Sequence, residues 1–316
     1  MKIKKKKIVK IGSFALLPLL LATFYLLLQP SQAGAAQLIK LTAIPPRLEI
    51  SANPGDVVVD QLKVRNEGDS QLGIELKIQD FIVNDKEGTP LPVEEGLADQ
   101  YAASLWITVS PQKFLLNPGE TKVLDFVAVV PEDAAPGGHY AVIFYAPAGE
   151  SLEANESVSS IEPNVGSLIY LTIAGDTKED ARVSLFSTPK FQEYGPVNID
   201  TEIYNLSDIH IRPMGSIKIT NWLGQHNQTL KLEEQNIFPT TIRAFENIWN
   251  QKWGFGKYKV QLEAGYGNQG KTLIATTFFW IIPWRAMTIA LLIIVLIVLL
   301  IIYFKKPKEL KAEAKS

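Results

Sequence analysis

The 316-residue sequence contains no cysteine and only three histidines, which lie far apart at His139, His210 and His226. The lack of cysteine excludes disulfide frameworks, cysteine-ligated zinc, iron–sulfur clusters and cysteine nucleophiles. Histidines so few and so scattered also count against a histidine-rich metal site. Charged residues form 20% of the chain and hydrophobic residues 47%, which excludes wholesale disorder. Composition alone therefore disfavours most classes of enzyme.

Long apolar stretches are concentrated at the two ends of the chain. Six lysines in the first ten residues precede the mostly apolar residues 11–28, and the small residues Ala33, Gly34 and Ala35 follow. A basic region, an apolar region and a small-residue cleavage site, in that order, predict a secretory signal peptide over residues 1–35. An uncleaved membrane anchor is the alternative, because this apolar region is longer than the usual roughly 7–15 residues.

The C-terminal apolar stretch, residues 286–304, contains 19 residues without a charge, enough to span a bilayer as a helix. Trp280 and Trp284 come just before it, where aromatic rings favour the membrane interface. Five lysines follow within residues 305–316, so the positive-inside rule predicts a basic cytoplasmic tail. The sequence thus predicts a single-pass protein of a bacterial cell membrane, with residues 36–280 outside the cell.

The segment between the two ends is acidic. Residues 36–280 carry 19 bases and 31 acids, a net charge of −12. Residues 36–175 carry 8 bases against 20 acids, whereas residues 176–280 carry 11 of each. Because acidic surfaces repel phosphate polymers, we expect no nucleic acid partner. Ordinary solubilising surface charge is the favoured explanation of the imbalance itself.

Short alternating segments separated by turn signals fill most of residues 36–280. The turn signals include Asn-Pro-Gly at 53–55 and 117–119 and Pro-Gly-Gly at 136–138. Short strands with a turn every ten or so residues are typical of β-sandwiches. We therefore predict an all-β fold, with no helix outside the terminal segments. The strands predicted in the first part are 56–65, 72–78, 105–109, 121–130, 140–145 and 167–173.

The second part of this segment repeats the plan of the first. An alternating strand ends on an Asn turn at both Asn66 and Asn205. A Gly-x-Tyr sequence opens a late strand at both Tyr140 and Tyr258. This resembles the tyrosine corner of immunoglobulin-like domains, where the tyrosine hydroxyl binds the preceding corner.

The repeat predicts two tandem immunoglobulin-like β-sandwiches, at residues 42–175 and 181–280. Residues 176–180 are the predicted linker between them. Residues 148–164 are rich in Ser and Glu and are predicted to form a flexible loop of the first sandwich. Pro283 precedes the C-terminal span directly and leaves little slack between that span and the second sandwich.

One motif has the form of a nucleotide-binding loop, since residues 265–272 read G-Y-G-N-Q-G-K-T. A P-loop needs a strand, the loop, and then a helix whose N-terminus receives the phosphates. Residues 273–280 are largely β-branched and aromatic and therefore form helices poorly. We predict a glycine-rich hairpin instead, with no nucleotide, no cofactor and no metal bound. A glycosidase-type pair of carboxylates from distant strands stays open, because sequence spacing does not reveal such pairs.

Four aromatic residues of the second part are candidates either for the hydrophobic core or for an exposed ligand-binding surface: Trp222, Trp249, Trp253 and Phe255. Trp222 and Trp249 are expected to fill the core of the second sandwich, because large rings dominate burial. Trp253 lies between Lys252 and Gly254 in a predicted turn and is expected to be exposed. It is the candidate ligand-binding residue, because an exposed ring near Asn and Gln can stack on the sugar rings of a glycan.

Several turn and corner residues of the first predicted sandwich form a distinctive set: Asn53-Pro54-Gly55, Arg65-Asn66, Asn117-Pro118-Gly119-Glu120, and Pro131 followed by Pro136-Gly137-Gly138 and Tyr140. In these residues the sandwich resembles the N-terminal domain of bacterial WxL-interacting surface proteins, and is also similar to other extracytoplasmic immunoglobulin-like modules. The second sandwich agrees with that family only in plan. The resemblance implies peptidoglycan binding by the first domain and host or partner binding by the second. The matching residues are structural, so no functional residue is carried over.

We predict a non-enzymatic, membrane-anchored binding or structural protein of the bacterial cell surface, whose partner is cell-wall glycan or a surface protein. The lipid bilayer is the partner of residues 286–304. The alternative is an assembly factor resembling periplasmic pilus chaperones, in which an immunoglobulin-like domain donates a strand to a client. A long unpaired edge strand with alternating exposed apolar residues favours the chaperone. Edges blunted by Lys, Pro or bulges favour the binding module.

Overall fold

A computed structural model of the chain describes residues 40–94, 98–148, 165–267 and 270–305. The predicted signal peptide, nearly all of the predicted loop at 148–164, and the tail after Lys305 lie outside the described residues. The described residues from Leu41 onward belong to one compact unit. Apart from two short 3-10 turns and one C-terminal helix, the described residues of this unit are strands and their connections, which confirms the all-β part of the predicted fold class.

Two sheets are built from residues 41–173, and we name them the first sheet pair. Sheet A has the strand order β1-β3-β8-β6, and sheet B has the order β2-β10-β9-β4-β5, with β7 also paired to β4. The strands are β1 (Leu41–Ile44), β2 (Arg47–Ala52), β3 (Val57–Asn66), β4 (Leu72–Ile82), β5 (Leu91–Val93), β6 (Ile107–Ser110), β7 (Lys113–Leu116), β8 (Thr121–Val129), β9 (Gly137–Pro147) and β10 (Gly166–Ile173).

Two further sheets are built from residues 181–281, and we name them the second sheet pair. Sheet C has the order β11-β13-β16, and sheet D has the order β12-β18-β17-β14-β15. The strands are β11 (Ala181–Ser187), β12 (Phe191–Gln192), β13 (Val197–Asn205), β14 (Met214–Asn221), β15 (His226–Lys231), β16 (Ile242–Trp249), β17 (Gly256–Tyr266) and β18 (Lys271–Ile281).

Each sheet pair encloses a hydrophobic core of its own. Alternation along β3 buries Leu62 and Val64 in one core cluster with Ile143 of sheet B, and Lys63 between them faces solvent. In the second sheet pair, Trp249 of sheet C is fully buried and packs against Phe279 of sheet D, with ring centroids 5.5 Å apart. The cores therefore form between sheets, as the alternating sequence predicts.

The two Asn turns have the same hydrogen bonds, which explains the internal repeat in physical terms. Asn66 and Asn205 are both completely buried at the ends of β3 and β13. In each, the side-chain amide donates to the carbonyl four residues later and to one distant carbonyl, and its oxygen accepts from the amide two residues later. The partners are Ser70, Leu116 and Gly68 for Asn66, and Ile209, Ile237 and Ser207 for Asn205.

Both sheet pairs begin with the same strand arrangement, but the length of their parallel strand pairing differs. The first strand of each pair lies in one sheet, and the next short strand crosses to the other sheet and pairs in parallel with its last strand. In the first pair β2 covers β10 along six residues. In the second pair β12 covers β18 at only two residues.

One predicted strand is partly wrong. Residues 104–106 form a 3-10 turn instead of extending the strand at 107. The turn is held by the buried carboxylate of Asp80, which accepts hydrogen bonds from the backbone N–H groups of Ala103 and Ser104 at 2.8 and 2.7 Å. A long-range bond of this kind overrides the local preference for strand.

The predicted linker at 176–180 is attached to the second sheet pair. The N–H group of Lys178 donates to Asp208 Oδ2 at 2.9 Å, and the carbonyl of Asp180 accepts from Leu206 N at 2.8 Å. The side chain of Glu179 is buried. These bonds order the linker, so the two sheet pairs are joined without a slack segment.

The C-terminal helix, α1 (Trp284–Lys305), begins three residues after β18 ends at Ile281. It contains the predicted span 286–304, has a mean hydropathy of 3.3, and is long and apolar enough to cross a membrane. None of its residues is buried against the sheets. The short connection through Pro283 agrees with the prediction of little slack.

Candidate functional site: the interface, its cleft and an open strand edge

An aromatic cluster joins the two sheet pairs. Phe238, from the connection between β15 and β16, inserts its ring among Phe81, Tyr140 and Tyr170 of the first sheet pair. The centroid distances are 5.5, 5.0 and 5.3 Å, and all three contacts are edge-to-face. This is the favoured geometry for aromatic pairs, and each pair contributes beyond simple burial. The cluster therefore makes the junction between the sheet pairs an apolar, specific contact.

Tyr140 also links the sheet pairs through its hydroxyl. The backbone N–H of His210, in the second sheet pair, donates to Tyr140 Oη at 2.9 Å. The predicted tyrosine corner is therefore wrong at this position, because the hydroxyl binds the other sheet pair and not its own preceding corner. At Tyr258 the prediction is confirmed, since Tyr258 Oη accepts from Phe255 N at 3.3 Å, three residues upstream.

Burial at this junction shifts two titrating groups. Desolvation raises the pKa of the Tyr140 hydroxyl well above its ordinary value. Desolvation lowers the pKa of the His210 imidazole to about 4, and nearby Arg212 and Arg47 lower it further while Glu49 opposes them. His210 is therefore neutral at physiological pH, and it acts as an uncharged packing residue rather than as an acid or a cation.

A second contact extends an edge of sheet C. The turn between β4 and β5 reaches the second sheet pair, where the carbonyl of Lys86 accepts a hydrogen bond from Ala244 N in β16 at 2.8 Å. Lys86 Nζ also pairs with Glu202 at 2.7 Å. Gly88 of the same turn has φ +69°, and a Cβ there would overlap the guanidinium of Arg243. The turn thus covers part of the β16 edge and leaves no room for a side chain at Gly88.

A cleft of about 680 Å³ lies beside the junction. Its described lining includes His210, Met214 and the ion pair of Arg212 with Glu49. Glu49 also pairs with Arg47 at 2.8 Å. A glycosidase needs two carboxylates flanking its substrate, whereas Glu49 is the only carboxylate in the described lining and is already paired with two arginines. The cleft is therefore not arranged for glycoside hydrolysis.

The motif that has the form of a nucleotide-binding loop lies at the turn of a hairpin. It connects β17 to β18, and Tyr266 pairs with Lys271 across it. Gly267 and Gly270 have positive φ values, as tight hairpin turns require. Lys271 Nζ donates to the carbonyl of Glu179, and the residues after it form a strand. No helix N-terminus follows the loop, so the predicted hairpin is confirmed.

Most strand edges of the described sheets are blunted. β1 and β6 are only four residues long and are followed by Pro45 and Pro111. β5 contains Pro92, and β11 is interrupted by an irregular register. The edge strand β2 carries Arg47 and Glu49. Charges, prolines and bulges of this kind prevent unwanted strand pairing.

β15, the last strand of sheet D, has six residues and pairs only with β14. The longer uncovered edge belongs to β18. This strand has eleven residues, and β12 pairs only with Trp280 and Ile281. Trp280 N donates to the carbonyl of Lys190, on the side away from β17. Because backbone groups alternate along a strand, those of the other even-numbered residues point to the same side. We name Thr272, Ile274, Thr276 and Phe278 the open edge, since no other described strand pairs with them there.

Apolar side chains alternate along this open edge. Ile274 is 63% exposed and Phe278 46% exposed, whereas Leu273 and Phe279, the odd-numbered residues on either side of this pair, are buried in the core. Lys257 Nζ lies 4.3 Å from the centroid of the Phe278 ring. The open edge combines free backbone groups with alternating exposed apolar residues, which is the arrangement expected of a site for strand addition.

The tryptophans of the second sheet pair divide as follows. Trp249 fills the core, as predicted. Trp222 was expected in the core but is 62% exposed, because it lies in the turn after β14 and places its ring over Gly256. Trp253 is exposed as expected, and its ring contacts Tyr194 edge-to-face at 5.0 Å. Its role as a ligand-binding residue stays a prediction.

Comparisons with known proteins find similar structures only. No family model and no curated protein matches the sequence. A class 5 fimbriae chaperone, CfaA, is similar over 75% of this chain and 99% of its own, with 13% identity and a TM-score of 0.40. The SafA pilin–SafB chaperone complex of Salmonella enterica is similar over 77% and 99%, with 12% identity and a TM-score of 0.37. Both TM-scores are below 0.5, so no function follows from them. The resemblance to WxL-interacting surface proteins stays a prediction.

Proposed function

We propose that this protein is a non-enzymatic, membrane-anchored protein of the bacterial cell surface that binds an extended segment of another surface protein. In this proposal the segment pairs with the open edge of β18 as an added strand. The proposal adapts the assembly-factor alternative, in which an immunoglobulin-like domain donates a strand to a client; here the second sheet pair receives the strand instead. The open edge is the single observation that carries the proposal.

The physical basis is the set of unpaired backbone groups. Four open-edge residues present N–H and C=O groups along one line, and each hydrogen bond formed there contributes on the order of 1 kcal/mol net. Alternate side chains of the incoming strand would lie beside Ile274 and Phe278, both exposed. Backbone bonds would then supply affinity, and the two apolar positions would supply preference for apolar residues in the partner.

Anchoring and domain organisation belong to the same proposal. The helix α1 spans the membrane, with the lysines from Lys305 onward in the cytoplasm and the sheet pairs outside. The two sheet pairs are two immunoglobulin-like domains, which the matched bonds of Asn66 and Asn205 support. Because the junction and the helix lie at opposite ends of β17 and β18, the first domain stands farther from the membrane.

Cell-wall glycan, the other predicted partner, is kept as a second candidate because of Trp253. Its ring is 62% exposed and held by Tyr194, a geometry that suits stacking on a sugar. Peptidoglycan binding by the first domain rests on the resemblance to WxL-interacting proteins alone.

The test uses the open-edge N–H of Thr276. Thr276→Pro removes this donor and places a ring in the path of an added strand, but it leaves the bonds to β17 intact because that N–H points away from β17. Thr276→Val is the matched control, since it keeps the N–H and the size of the side chain. Capture of surface proteins from a cell-surface extract by the full chain should fall about tenfold or more for Thr276→Pro and little for Thr276→Val. Equal capture by both variants would contradict strand addition, and capture of wall fragments alone would favour the glycan candidate.

A further inference from the structure

Four parts of the second sheet pair meet at the end where α1 begins. Strand register places Asn221, before the β14–β15 turn, opposite Tyr258 at the start of β17. Gly256 lies opposite Ile281 at the end of β18, and Phe191 of β12 lies opposite Trp280. The β14–β15 turn, the β16–β17 loop, β12 and the last residues of β18 therefore form one end of the molecule, next to the helix.

This end carries a concentration of exposed rings. We name the rim the six exposed side chains Phe191, Trp222, Leu223, Trp253, Phe255 and Trp280, which are 45–62% exposed. Four of the six tryptophans in the sequence are exposed, and all four lie in the rim or at the start of α1. In the described part of the first sheet pair, by contrast, the large exposed apolar side chains are all aliphatic.

The rings of the rim are held in place. Trp222 lies over Gly256, where a Cβ would overlap its ring. Trp253 contacts the ring of Tyr194, and Tyr258 Oη accepts the N–H of Phe255 at 3.3 Å. Ordered rings that expose both an apolar face and, in tryptophan, an N–H group are suited to the boundary between water and lipid.

The charge of this end is opposite to that of the rest of the ectodomain. Residues 189–195, 222–225, 251–257 and 280–285 contain four bases and one acid. The acid, Glu193, is paired with Arg285. Residues 36–280 as a whole carry a net charge of −12. A basic end on an acidic protein is complementary to the anionic headgroups of a bacterial membrane.

The position of the rim relative to the bilayer follows from the connection to α1. Only Ile282 and Pro283 separate Ile281 from the first residue of the helix, Trp284, so the chain from Ile281 to Trp284 spans at most about 10 Å. The polar layer on each face of a bilayer is roughly 5–8 Å thick. A helix that crosses the hydrocarbon core therefore brings the rim to the depth of the headgroups.

We infer that the rim is a lipid-binding surface, seated in the headgroup layer of the outer leaflet and attracted to anionic lipids by its lysines. The inference rests on the membrane anchoring proposed above. It makes the second sheet pair a membrane-seated base of fixed orientation, rather than a domain that swings freely on its anchor. The first sheet pair then stands away from the bilayer, and the open edge, along the side of β18, faces sideways in a fixed orientation.

The natural chain has no cysteine, so single cysteines can be introduced and labelled without background. Full-length Phe255→Cys and Leu223→Cys are labelled with an environment-sensitive fluorophore and reconstituted into vesicles of phosphatidylcholine and phosphatidylglycerol. Met214→Cys, 60% exposed at the opposite end of sheet D, and Leu105→Cys, 74% exposed in the first sheet pair, are the controls. Quenching by a lipid-borne spin label and by aqueous iodide is then compared.

Labels at 255 and 223 should be quenched strongly by the lipid-borne label and weakly by iodide, and labels at 214 and 105 should show the reverse. A vesicle-bound protein whose rim labels are quenched by iodide as efficiently as the controls would overturn the inference and leave the anchoring intact. Failure of the full chain to float with the vesicles would overturn the anchoring and the inference together. Protection of the rim labels by added wall fragments, without lipid quenching, would assign the rim to glycan instead.

Discussion

Truncation of Phe238 should uncouple the two sheet pairs. Phe238 is 6% exposed, although it belongs to a connection rather than to a strand of the second sheet pair. Its ring makes three edge-to-face contacts at 5.0–5.5 Å, all with residues of the first sheet pair. Phe238→Ala therefore removes the centre of the junction while leaving both cores intact.

The expected magnitude follows from burial and ring contacts. Replacing a buried Phe by Ala costs about 3–5 kcal/mol. The ion pairs around the junction compensate little, since exposed pairs such as Lys86 with Glu202 contribute roughly 0–1 kcal/mol each. For a protein of this size, 1 kcal/mol corresponds to roughly 2–4 °C, so the melting temperature should fall by on the order of 10 °C.

Differential scanning calorimetry of the full chain in detergent is the assay. The natural protein should unfold in one coupled transition of the two sheet pairs, and Phe238→Ala should separate it into two, the lower one shifted down. Phe255→Ala is the matched control, because Phe255 is 56% exposed and its loss should change stability by less than about 0.5 kcal/mol. Two independent transitions in the natural protein, or equal effects of the two variants, would refute a junction built around Phe238.

Three other predictions concern buried and motif residues. The folded pKa of His210, about 4, lies below its unfolded value near 6.5, so its contribution to stability is complete above pH 6.5 and is lost as the pH falls toward 4. Urea unfolding should show a loss of about 3 kcal/mol between pH 7 and pH 4 that is absent in His210→Gln; an unchanged pH profile in the variant would contradict this. In the same assay Asn205→Ala should lower the free energy of unfolding by about 3 kcal/mol, because it leaves two buried carbonyl groups without a hydrogen-bond donor. Asn221→Ala breaks bonds in an exposed turn and should lower it by about 1 kcal/mol or less. Lys271→Ala should lower stability by at most about 1.5 kcal/mol, and ATP with magnesium should not change the melting temperature of either protein. An ATP-dependent rise that the variant loses would overturn the hairpin interpretation.

Local signals in the sequence were sufficient for most of the fold. Alternation placed β3, β4, β8 and β17, and repeated Asn turns revealed that the second part copies the first. The long apolar stretch without a charged residue identified α1. These features depend on residues close together in the chain, which is why sequence patterns report them.

Features that depend on distant partners were missed or misassigned. The hydroxyl of Tyr140 binds His210, 70 residues away, so a corner motif did not reveal its partner. Trp222 has a core-type side chain in a turn whose position depends on the register with β17. The 3-10 turn at 104–106 depends on the carboxylate of Asp80. None of these partners can be inferred from spacing.

The candidate site was harder to predict than the fold for the same reason. Residues 273–280 were identified from the sequence as largely β-branched and aromatic, and therefore as poor helix formers. Whether a strand is an edge depends on which other strands pair with it, and β12, two residues long, gave no pattern. The open edge therefore became apparent only from the pairing of β12 with Trp280 and Ile281.

Site-specific crosslinking in living cells tests strand addition at the open edge most directly. A photoreactive p-benzoylphenylalanine is placed at Ile274 of the full chain and, as a control, at Lys218, which is exposed on the central strand β14 of the same sheet. Illumination should join the label at 274 to a cell-surface protein, and Thr276→Pro should abolish that product while Thr276→Val preserves it. Equal products from 274 and 218, or a product at 274 that survives Thr276→Pro, would contradict the account.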